Sequence, residues 1–249
     1  MSKDKHIVIG IEGEVSSGKT SICNELINKI NNAVFLDGGA IYRGLVMAVK
    51  KNKAKLVWIF LKNKILKLFG KKGLDAYELM KDLKVEFKIE DKKTAIYIDN
   101  KKIDEKEIHT LNNDMGVSKM AGKVNNEVIY KFAKELVDKY RKKYNLILSA
   151  RDLINIYPDM TCFVYVTCDL KERVNRRYSQ FEGKVSKKDL KEYITKRDEL
   201  HKQSFQTEGF ERTINVDVTK CKNAEESTDL VIKKMLEKNY IDSSILKGE

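Results

Sequence analysis

Residues 6–30, HIVIGIEGEVSSGKTSICNELINKI, decide the fold of this 249-residue chain. The β-branched run HIVIGIEG ends in glycine and predicts a buried parallel strand. The apolar residues of KTSICNELINKI recur at helical spacing, which predicts an amphipathic helix. Between the two, GEVSSGKT fits G-x-x-x-x-G-K-[ST], the pattern of a loop that cradles phosphate. Strand, glycine-rich loop and helix therefore follow one another in the order that a phosphate-binding loop (P-loop) requires.

Each residue type in GEVSSGKT has a chemical task. Gly13 and Gly18 permit the tight backbone path that points successive N–H groups inward. Lys19 can reach the β- and γ-phosphates of a nucleotide, and Thr20 can ligate Mg²⁺ at the positive end of the following helix. We therefore predict ATP and Mg²⁺ as cofactors, with the ATP held by Gly13, Glu14, Val15, Ser16, Ser17, Gly18, Lys19, Thr20 and Ser21 and the metal by Thr20.

The remainder of the chain alternates strand and helix patterns, which predicts an α/β fold with a parallel sheet flanked by helices. Residues 83–103 differ, because apolar and charged side chains alternate and turn-like EDKK and DNKK separate the runs, a pattern typical of a small antiparallel meander. We predict a core formed by residues 1–50 and 117–249, with a helical lid at about 170–190. Residues 51–116 would form an inserted lobe.

The composition fits a globular protein with a real core and excludes several classes. Hydrophobic residues make up 42% of the chain, and the formal net charge is +12. That charge indicates anionic partners or Lys-rich solvated helix faces, and it leaves an RNA-associated NTPase open. The four cysteines have no metal-ligand or CxxC spacing, and the N-terminus does not resemble a signal peptide. We expect a monomeric cytoplasmic protein with nucleotide substrates, no stably bound nucleic acid and no membrane span.

Residues 53–69, KAKLVWIFLKNKILKLF, are apolar and basic together. They fit a long helix that packs on the inserted lobe. They also fit a surface helix that meets a membrane or a partner protein. The first interpretation is the one we favour from the sequence.

Several motifs, taken in order, resemble those of the bacterial cytidylate kinases. LDGGAIYRG at 36–44 resembles the family's acceptor motif L-D-[ST]-G-A-[MI]-Y-R, and VSKMAG at 117–122 resembles VSxVAA. SARDLINIYPD resembles GRDIGTVVFPD, CDLKERVNRRY resembles the lid motif SxEERAxRR, and YITKRDELHKQSF resembles IxxRDxxDxxR. The meander and the EIHTLNND that follows resemble the enlarged acceptor lobe. The resemblance spans about residues 5 to 238.

The resemblance implies a P-loop kinase with core, acceptor lobe and lid that transfers the γ-phosphoryl group of MgATP to CMP or dCMP. It implies donor binding by Arg176 in addition to the loop, and catalysis by Lys19, Arg43, Arg151, Arg173 and Arg177. It implies acceptor binding by Asp37, Arg43, Ser118, Arg151, Asp152 and Arg197. Arginine suits these tasks because its planar fork binds oxyanions in bidentate fashion and stays charged.

Four departures from the family pattern lie on the acceptor side. Gly38 stands where the family has Ser or Thr, Asn126 or Glu127 stands where it has an arginine, and His201 and Ser204 replace an Asp and an Arg. The donor loop keeps every residue. Three alternatives therefore stay open: altered acceptor choice within the family, a P-loop kinase of another small acceptor, or a nucleotide-binding regulatory protein that has lost turnover.

Overall fold

A computed structural model describes residues 6–52, 65, 68–70, 84–108, 126–202 and 210–248. The chain divides into two compact units, a first unit of Met1–Leu36 with Val137–Glu249 and a second unit of Asp37–Leu136. The second unit thus begins before residue 51 and ends after residue 116, the bounds expected for the inserted lobe from the sequence. The functional division into core and lobe stays a prediction.

The elements follow one another in the alternating order that the sequence predicts. The strands are β1 (Val8–Gly13), β2 (Ala33–Asp37), β3 (Val85–Glu90), β4 (Lys93–Ile98), β5 (Lys101–Lys102), β6 (Asn145–Ser149), β7 (Cys162–Thr167) and β8 (Thr213–Asp217). The helices are α1 (Lys19–Lys29), α2 (Gly38–Lys51), α3 (Glu105–Ile108), α4 (Asn126–Arg141), α5 (Leu153–Ile156), α6 (Leu170–Gln180), α7 (Lys187–Lys202) and α8 (Ala224–Glu237), followed by a 3₁₀ turn at Ser243–Ile245.

The first unit is built on a parallel sheet. Its strands lie in the order β2-β6-β1-β7-β8. β1 pairs in parallel with β6 and β7, and β7 pairs in parallel with β8. All six residues of β1 are buried, as expected for a central strand that is covered on both faces. The carboxyl ends of these strands therefore meet at one edge, where α/β proteins bind their ligands.

The core of the first unit lies between the sheet and the helices α1 and α8. Apolar side chains of both helices pack against alternate residues of the strands, and the cluster includes Ile9, Ile11, Ile22, Leu26, Val164, Val166, Ile214, Val216, Val231 and Met235. Helices α6 and α7 form a separate apolar contact through Val174, Leu190 and Ile194. The core thus holds the end of β1 and the start of α1, which carry the phosphate-loop sequence, in fixed positions.

The second unit contains α2, the antiparallel strands β3, β4 and β5, and helix α3. β3 and β4 pair from Val85↔Ile98 to Glu90↔Lys93, which confirms the antiparallel meander expected at 83–103. Gly44 of α2 lies directly over the hairpin, because a Cβ atom built there would meet Ile96 at 2.8 Å. A side chain at position 44 would therefore push α2 away from β4.

The structure confirms the predicted α/β class with its mostly parallel sheet and flanking helices. Most of the apolar and basic segment 53–69 lies outside the described residues; within it, Ile65, Leu68 and Phe69 are exposed. Among the helices that the structure describes, none combines the length and hydrophobicity that a membrane span requires.

Candidate functional site

The glycine-rich loop runs from the end of β1 to the start of α1 and packs tightly against β7. Gly13 has φ 146°, and a Cβ atom built there would lie 2.0 Å from the carbonyl oxygen of Val166. The N–H of Glu14 donates to that same carbonyl at 3.1 Å. Gly18 closes the loop with φ 99°, a conformation that side chains other than glycine rarely adopt. Both glycines of the motif are therefore required by the backbone path.

Helix α1 begins with its N–H groups free of a side-chain cap. Gly18 occupies the N-cap position and has no side chain that could cap the helix. The first turn carries no acidic residue. By contrast, Asp37, Asp169 and Asn223 cap α2, α6 and α8 through their side chains. Next to this end of α1, the buried hydroxyl of Ser17 has no hydrogen-bond partner. A bare helix N-terminus and an unused hydroxyl are the groups that a bound phosphate would satisfy.

Lys19 lies folded over the loop in this structure. Its ammonium group donates to the carbonyl oxygens of Gly13 at 2.9 Å and Glu14 at 2.5 Å. Burial lowers its pKa to about 8; the charge of Glu12 opposes that change, and the positive charges of Arg151 and Arg197 add to it. The first unit thus brings together three of the predicted cations, whose like charges disfavour the protonated form of Lys19.

Glu12, the acidic residue of β1, was not predicted as a site residue. It is only 2% exposed, and its Oε1 and Oε2 accept the N–H groups of Asp152 at 3.1 Å and Leu153 at 3.4 Å. Burial raises its pKa to about 7, whereas the two N–H groups and the charge of Lys19 act in the opposite direction. The sequence does carry a signal for this residue, because an acidic side chain is unusual inside a buried parallel strand.

Arg173, predicted to meet the transferring group, is 5% exposed and lies between two carboxylates. Its Nη1 donates to Asp198 at 2.5 Å and to the carbonyl of Val15 at 3.1 Å. Its Nε lies 3.6 Å from Glu14. Asp198 also accepts the N–H of Val15 at 2.9 Å. Arg173 and Asp198 thereby fasten helices α6 and α7 to the phosphate loop, a task that the sequence analysis did not assign to either residue.

Arg176 connects the phosphate loop to the segment after β8. Its guanidinium donates to the carbonyl of Ser17 at 3.3 Å, and to those of Val218 at 2.9 Å and Cys221 at 3.1 Å. It also pairs with Glu172 one helical turn away, at 3.0 Å. The residue predicted to help bind ATP therefore lies directly beside the loop.

Arg177, predicted for the lid, lies on α6, and Arg197, predicted for the acceptor site, lies on α7. Arg177 donates to Gln180 at 3.0 Å and lies over the ring of Phe181, with its Nε buried and without a hydrogen-bond partner. Arg197 on α7 donates to the hydroxyl of Tyr193 at 2.9 Å. Burial raises the pKa of the Tyr165 hydroxyl on β7 to about 12. The negative charges of Glu14, Glu12 and Asp198 act in the same direction.

Asp37 and Arg43 belong to the second unit and form one local arrangement. The carboxylate of Asp37 accepts the N–H of Ala40 at 3.1 Å and so caps α2. A Cβ atom built on Gly39 would lie 3.0 Å from Arg43 Nη1 and 3.1 Å from Asp37 Oδ1. Both charged groups therefore lie over Gly39. The N–H of Asp37 donates to Thr94 at 3.2 Å, which ties this turn to β4.

The remaining predicted acceptor residues differ in what the structure says of them. Arg151 and Asp152 follow β6, and Asp152 has φ 61° and ψ 37° at the cap of α5. Its carboxylate accepts from Asn155 at 2.7 Å. Ser118 and Ser204 lie outside the described residues. Within the described part of the chain, no group of three His, Cys, Asp or Glu side chains could hold a metal ion.

The sequence comparisons point to the cytidylate kinase family. The cytidylate kinase family profile matches residues 9–240. The chain is 26% identical to the cytidylate kinase of Chloroherpeton thalassium over 207 residues, covering 78% of each protein. It is 27% identical to that of Alkaliphilus oremlandii over 204 residues, covering 79% of this chain and 82% of the relative. Thymidylate kinase from Candida albicans superposes with a TM-score of 0.45 at 14% identity, covering 98% of this chain and 96% of the other. The chain belongs to the cytidylate kinase family, whose members are P-loop nucleoside monophosphate kinases that transfer a phosphoryl group from ATP to a nucleotide.

Proposed function

We propose that this enzyme transfers the γ-phosphoryl group of MgATP to CMP or dCMP, giving ADP and the nucleoside diphosphate. The observation that carries the proposal is the cluster of Lys19, Arg151 and Arg197. Arg151 and Arg197 lie close enough to lower the pKa of Lys19. Cations concentrated in this way stabilise the negative charge of a transferring phosphoryl group. The family membership points to a nucleoside monophosphate as the acceptor.

On the donor side, the loop supplies the contacts. Lys19 would leave the carbonyls of Gly13 and Glu14 and donate to the β- and γ-phosphates of ATP. The N–H groups at the start of α1, which no side chain caps, and the hydroxyl of Ser17, which has no hydrogen-bond partner, would donate to the phosphate oxygens. Thr20 is exposed at the first turn of α1, where its hydroxyl could hold a Mg²⁺ ion that arrives with ATP. The ion would neutralise charge between the β- and γ-phosphates.

On the acceptor side, Arg151 is proposed to bind the phosphate of the nucleoside monophosphate. Asp152 and Ser118 are proposed to face the pyrimidine edge, with Arg197 holding the acceptor and donor in the closed enzyme. Arg43 has the same proposed role as Arg151, and Asp37 supports it through the turn that it caps. A phosphate oxygen of the acceptor would attack the γ-phosphorus in line as the bond to ADP breaks.

Among the lid residues, Arg177 and Arg173 are proposed to stabilise the transferring group, and Arg176 to bind ATP. The buried Nε of Arg177 has no partner in the structure, so this side chain still has a donor to offer. The contact of Arg176 with Ser17 supports donor binding. Arg173 already has three oxygen partners near the loop, so we expect its contribution to come from holding Glu14 and Val15 in place.

A panel of acceptors tests the proposal directly. ADP release is measured with ATP and CMP, dCMP, UMP, AMP or GMP, each with and without Mg²⁺. We expect the highest kcat/KM for CMP or dCMP and no turnover without a divalent cation. ADP release that is indifferent to every nucleotide would contradict kinase activity and favour the regulatory alternative.

A second candidate is a kinase of the same type with a changed acceptor. Gly38, His201 and Ser204 each remove a polar or charged contact that the family pattern supplies, and a lost charge-assisted contact costs about 1.5–3 kcal/mol. In the same panel this candidate predicts a higher kcat/KM for UMP, AMP or GMP than for CMP and dCMP.

A further inference from the structure

We infer that Glu12 is a positioning residue that holds the Arg151–Asp152–Leu153 turn ready for the acceptor nucleotide. The inference rests on the proposed function, because it takes that turn to be part of the acceptor site. The claim concerns how the turn is held, and Glu12 itself is not expected to touch either substrate.

The first support is the hydrogen bonding of the carboxylate. Glu12 lies at the end of the fully buried strand β1, and each of its oxygens accepts one backbone N–H, from Asp152 and from Leu153. These two donors stand at the start of α5, where a helix leaves N–H groups without internal partners. The side chain of Asp152 does not cap the helix. Glu12 therefore accepts, from another strand, two N–H groups at the helix start that the helix itself leaves without partners.

The second support is the backbone of Asp152. Its φ of 61° and ψ of 37° lie in the left-handed region. Residues other than glycine rarely adopt this conformation, and they keep it only where the surrounding structure holds them in it. Its own N–H is the group that Glu12 Oε1 accepts at 3.1 Å. Without that contact the turn loses one of the two bonds from Glu12 that hold its backbone.

The third support is the charge around the carboxylate. Lys19 from the start of α1, Asp152 from the turn and Tyr165 from β7 all interact electrostatically with Glu12. One carboxylate thus faces the lysine of the donor loop and holds the turn assigned to the acceptor. Because burial takes its pKa to about 7, the carboxylate gains or loses a proton close to neutral pH. A protonated carboxyl group keeps one fewer acceptor for the two N–H groups.

The test compares Glu12→Gln and Glu12→Asp with the wild type. Gln has the same size but only one acceptor oxygen, and Asp keeps the charge but is one methylene shorter. Asp242→Asn is the control. The exposed carboxylate of Asp242 also accepts a backbone N–H, from Ser244 at 2.8 Å, but it lies in the C-terminal turn and is not one of the proposed site residues. We expect Glu12→Gln and Glu12→Asp to raise the acceptor KM about tenfold or more, while the KM for ATP changes by less than about threefold.

Two further measurements separate positioning from a general structural role. The acceptor KM of the wild type is followed from pH 6 to pH 8.5 beside that of Glu12→Gln with the same acceptor, so that titration of the substrate is common to both. We expect the acceptor KM of the wild type to change with pH near neutrality, and that of Glu12→Gln to lack this change. Hydrogen exchange of the amides of Asp152 and Leu153, measured without substrate, should be faster in both variants and unchanged in Asp242→Asn.

The outcomes are distinguishable. If the wild type phosphorylates no nucleoside monophosphate, the proposed function fails, and the exchange measurement still decides whether Glu12 holds the turn. If the wild type is active, the inference is overturned by an acceptor KM that stays unchanged or by equal rises in both KM values. Unchanged amide exchange at Asp152 and Leu153 overturns it in either case. Should Glu12→Gln fail to fold, Glu12→Asp still gives the two KM values and the amide exchange.

Discussion

Lys19 and Glu12 are ionisable side chains seven positions apart in the sequence, and burial displaces the pKa of both. The pKa of Lys19 is lowered to about 8 and that of Glu12 is raised to about 7. Each shift moves a proton equilibrium into the range in which the enzyme is assayed. Two predictions follow from the directions of these shifts.

The first concerns ATP affinity and Lys19. Below pH 8 the ammonium group is charged and attracts the phosphates; above pH 8 the free enzyme loses that charge. We expect the Kd for ATP to rise about tenfold between pH 7 and pH 9, as measured by calorimetry with Mg²⁺ present. Lys19→Arg keeps a charged group over this range, so its Kd should be nearly independent of pH. Equal pH dependence in both proteins would contradict the role of Lys19.

The second concerns stability and Glu12. Because the pKa in the folded state lies above the ordinary value of 4.5, the folded protein binds this proton more tightly than the unfolded chain. The contribution of Glu12 is fully present below pH 4.5 and is lost as the pH rises to about 7. We expect the free energy of unfolding of the wild type, relative to Glu12→Gln, to fall by about 3 kcal/mol between pH 4.5 and pH 8. Urea denaturation at several pH values measures it, and a constant difference would refute it.

At the scale of elements, the phosphate loop is held by helices that lie far from it in the sequence. Arg173 of α6 and Asp198 of α7 pair with side-chain exposures of 6% and 17%, and both contact Val15. Removing one partner of such a buried pair leaves an uncompensated charge. The loop therefore depends on the α6–α7 hairpin as well as on its own glycines.

Asp198→Asn tests this dependence. We expect the substitution to lower the free energy of unfolding by about 3 kcal/mol, measured by urea denaturation, because Arg173 would stay buried with a weaker partner. Glu182→Gln is the matched control on the same hairpin, since Glu182 pairs with Lys184 at 2.7 Å where both side chains are exposed. That change should leave the stability unaltered. Equal losses in the two variants would argue against a special role for the buried pair.

The turn at the start of α2 gives a prediction for the acceptor side. Arg43 lies over Gly39 beside the capping carboxylate of Asp37. We expect Arg43→Ala to raise the acceptor KM by roughly a factor of ten or more, as one charge-assisted hydrogen bond to a phosphate is lost, with little effect on the KM for ATP. Lys50→Ala, near the other end of the same helix, is the control. The proposed role fails if both KM values rise together.

Local patterns and distant contacts differ in how far the sequence predicts them. Strand β1, the loop and α1 follow from residues 6–30, because β-branched runs, glycines and helical periodicity act between near neighbours. The partners of Arg173 do not follow, since nothing in KERVNRR distinguishes a buried arginine from an exposed one and Asp198 lies 25 residues further along. Glu12 and Asp152 are 140 residues apart, and only the folded sheet brings them together.

At the scale of the whole molecule, the formal charge of +12 and the family membership both favour anionic substrates. The parallel order of β6, β1 and β7 places the loop and the turn after β6 at the same edge of the sheet. A sequence pattern can predict that edge, because the strand order along the chain and the handedness of crossovers restrict the topology. The acceptor residues are less determined, since four positions differ from the family pattern and Ser118 lies outside the described residues.

The central claim is direct phosphoryl transfer from ATP to a cytidine nucleotide, and the most direct measurement follows the phosphorus. ATP labelled in its γ-phosphate is incubated with Mg²⁺, CMP and the enzyme, with Lys19→Ala as the inactive control, and the products are separated. The account predicts that the label moves into CDP in a one-to-one ratio with ADP, and that Lys19→Ala forms almost none. Label released only as inorganic phosphate, or labelled CDP formed equally well by Lys19→Ala, would contradict it.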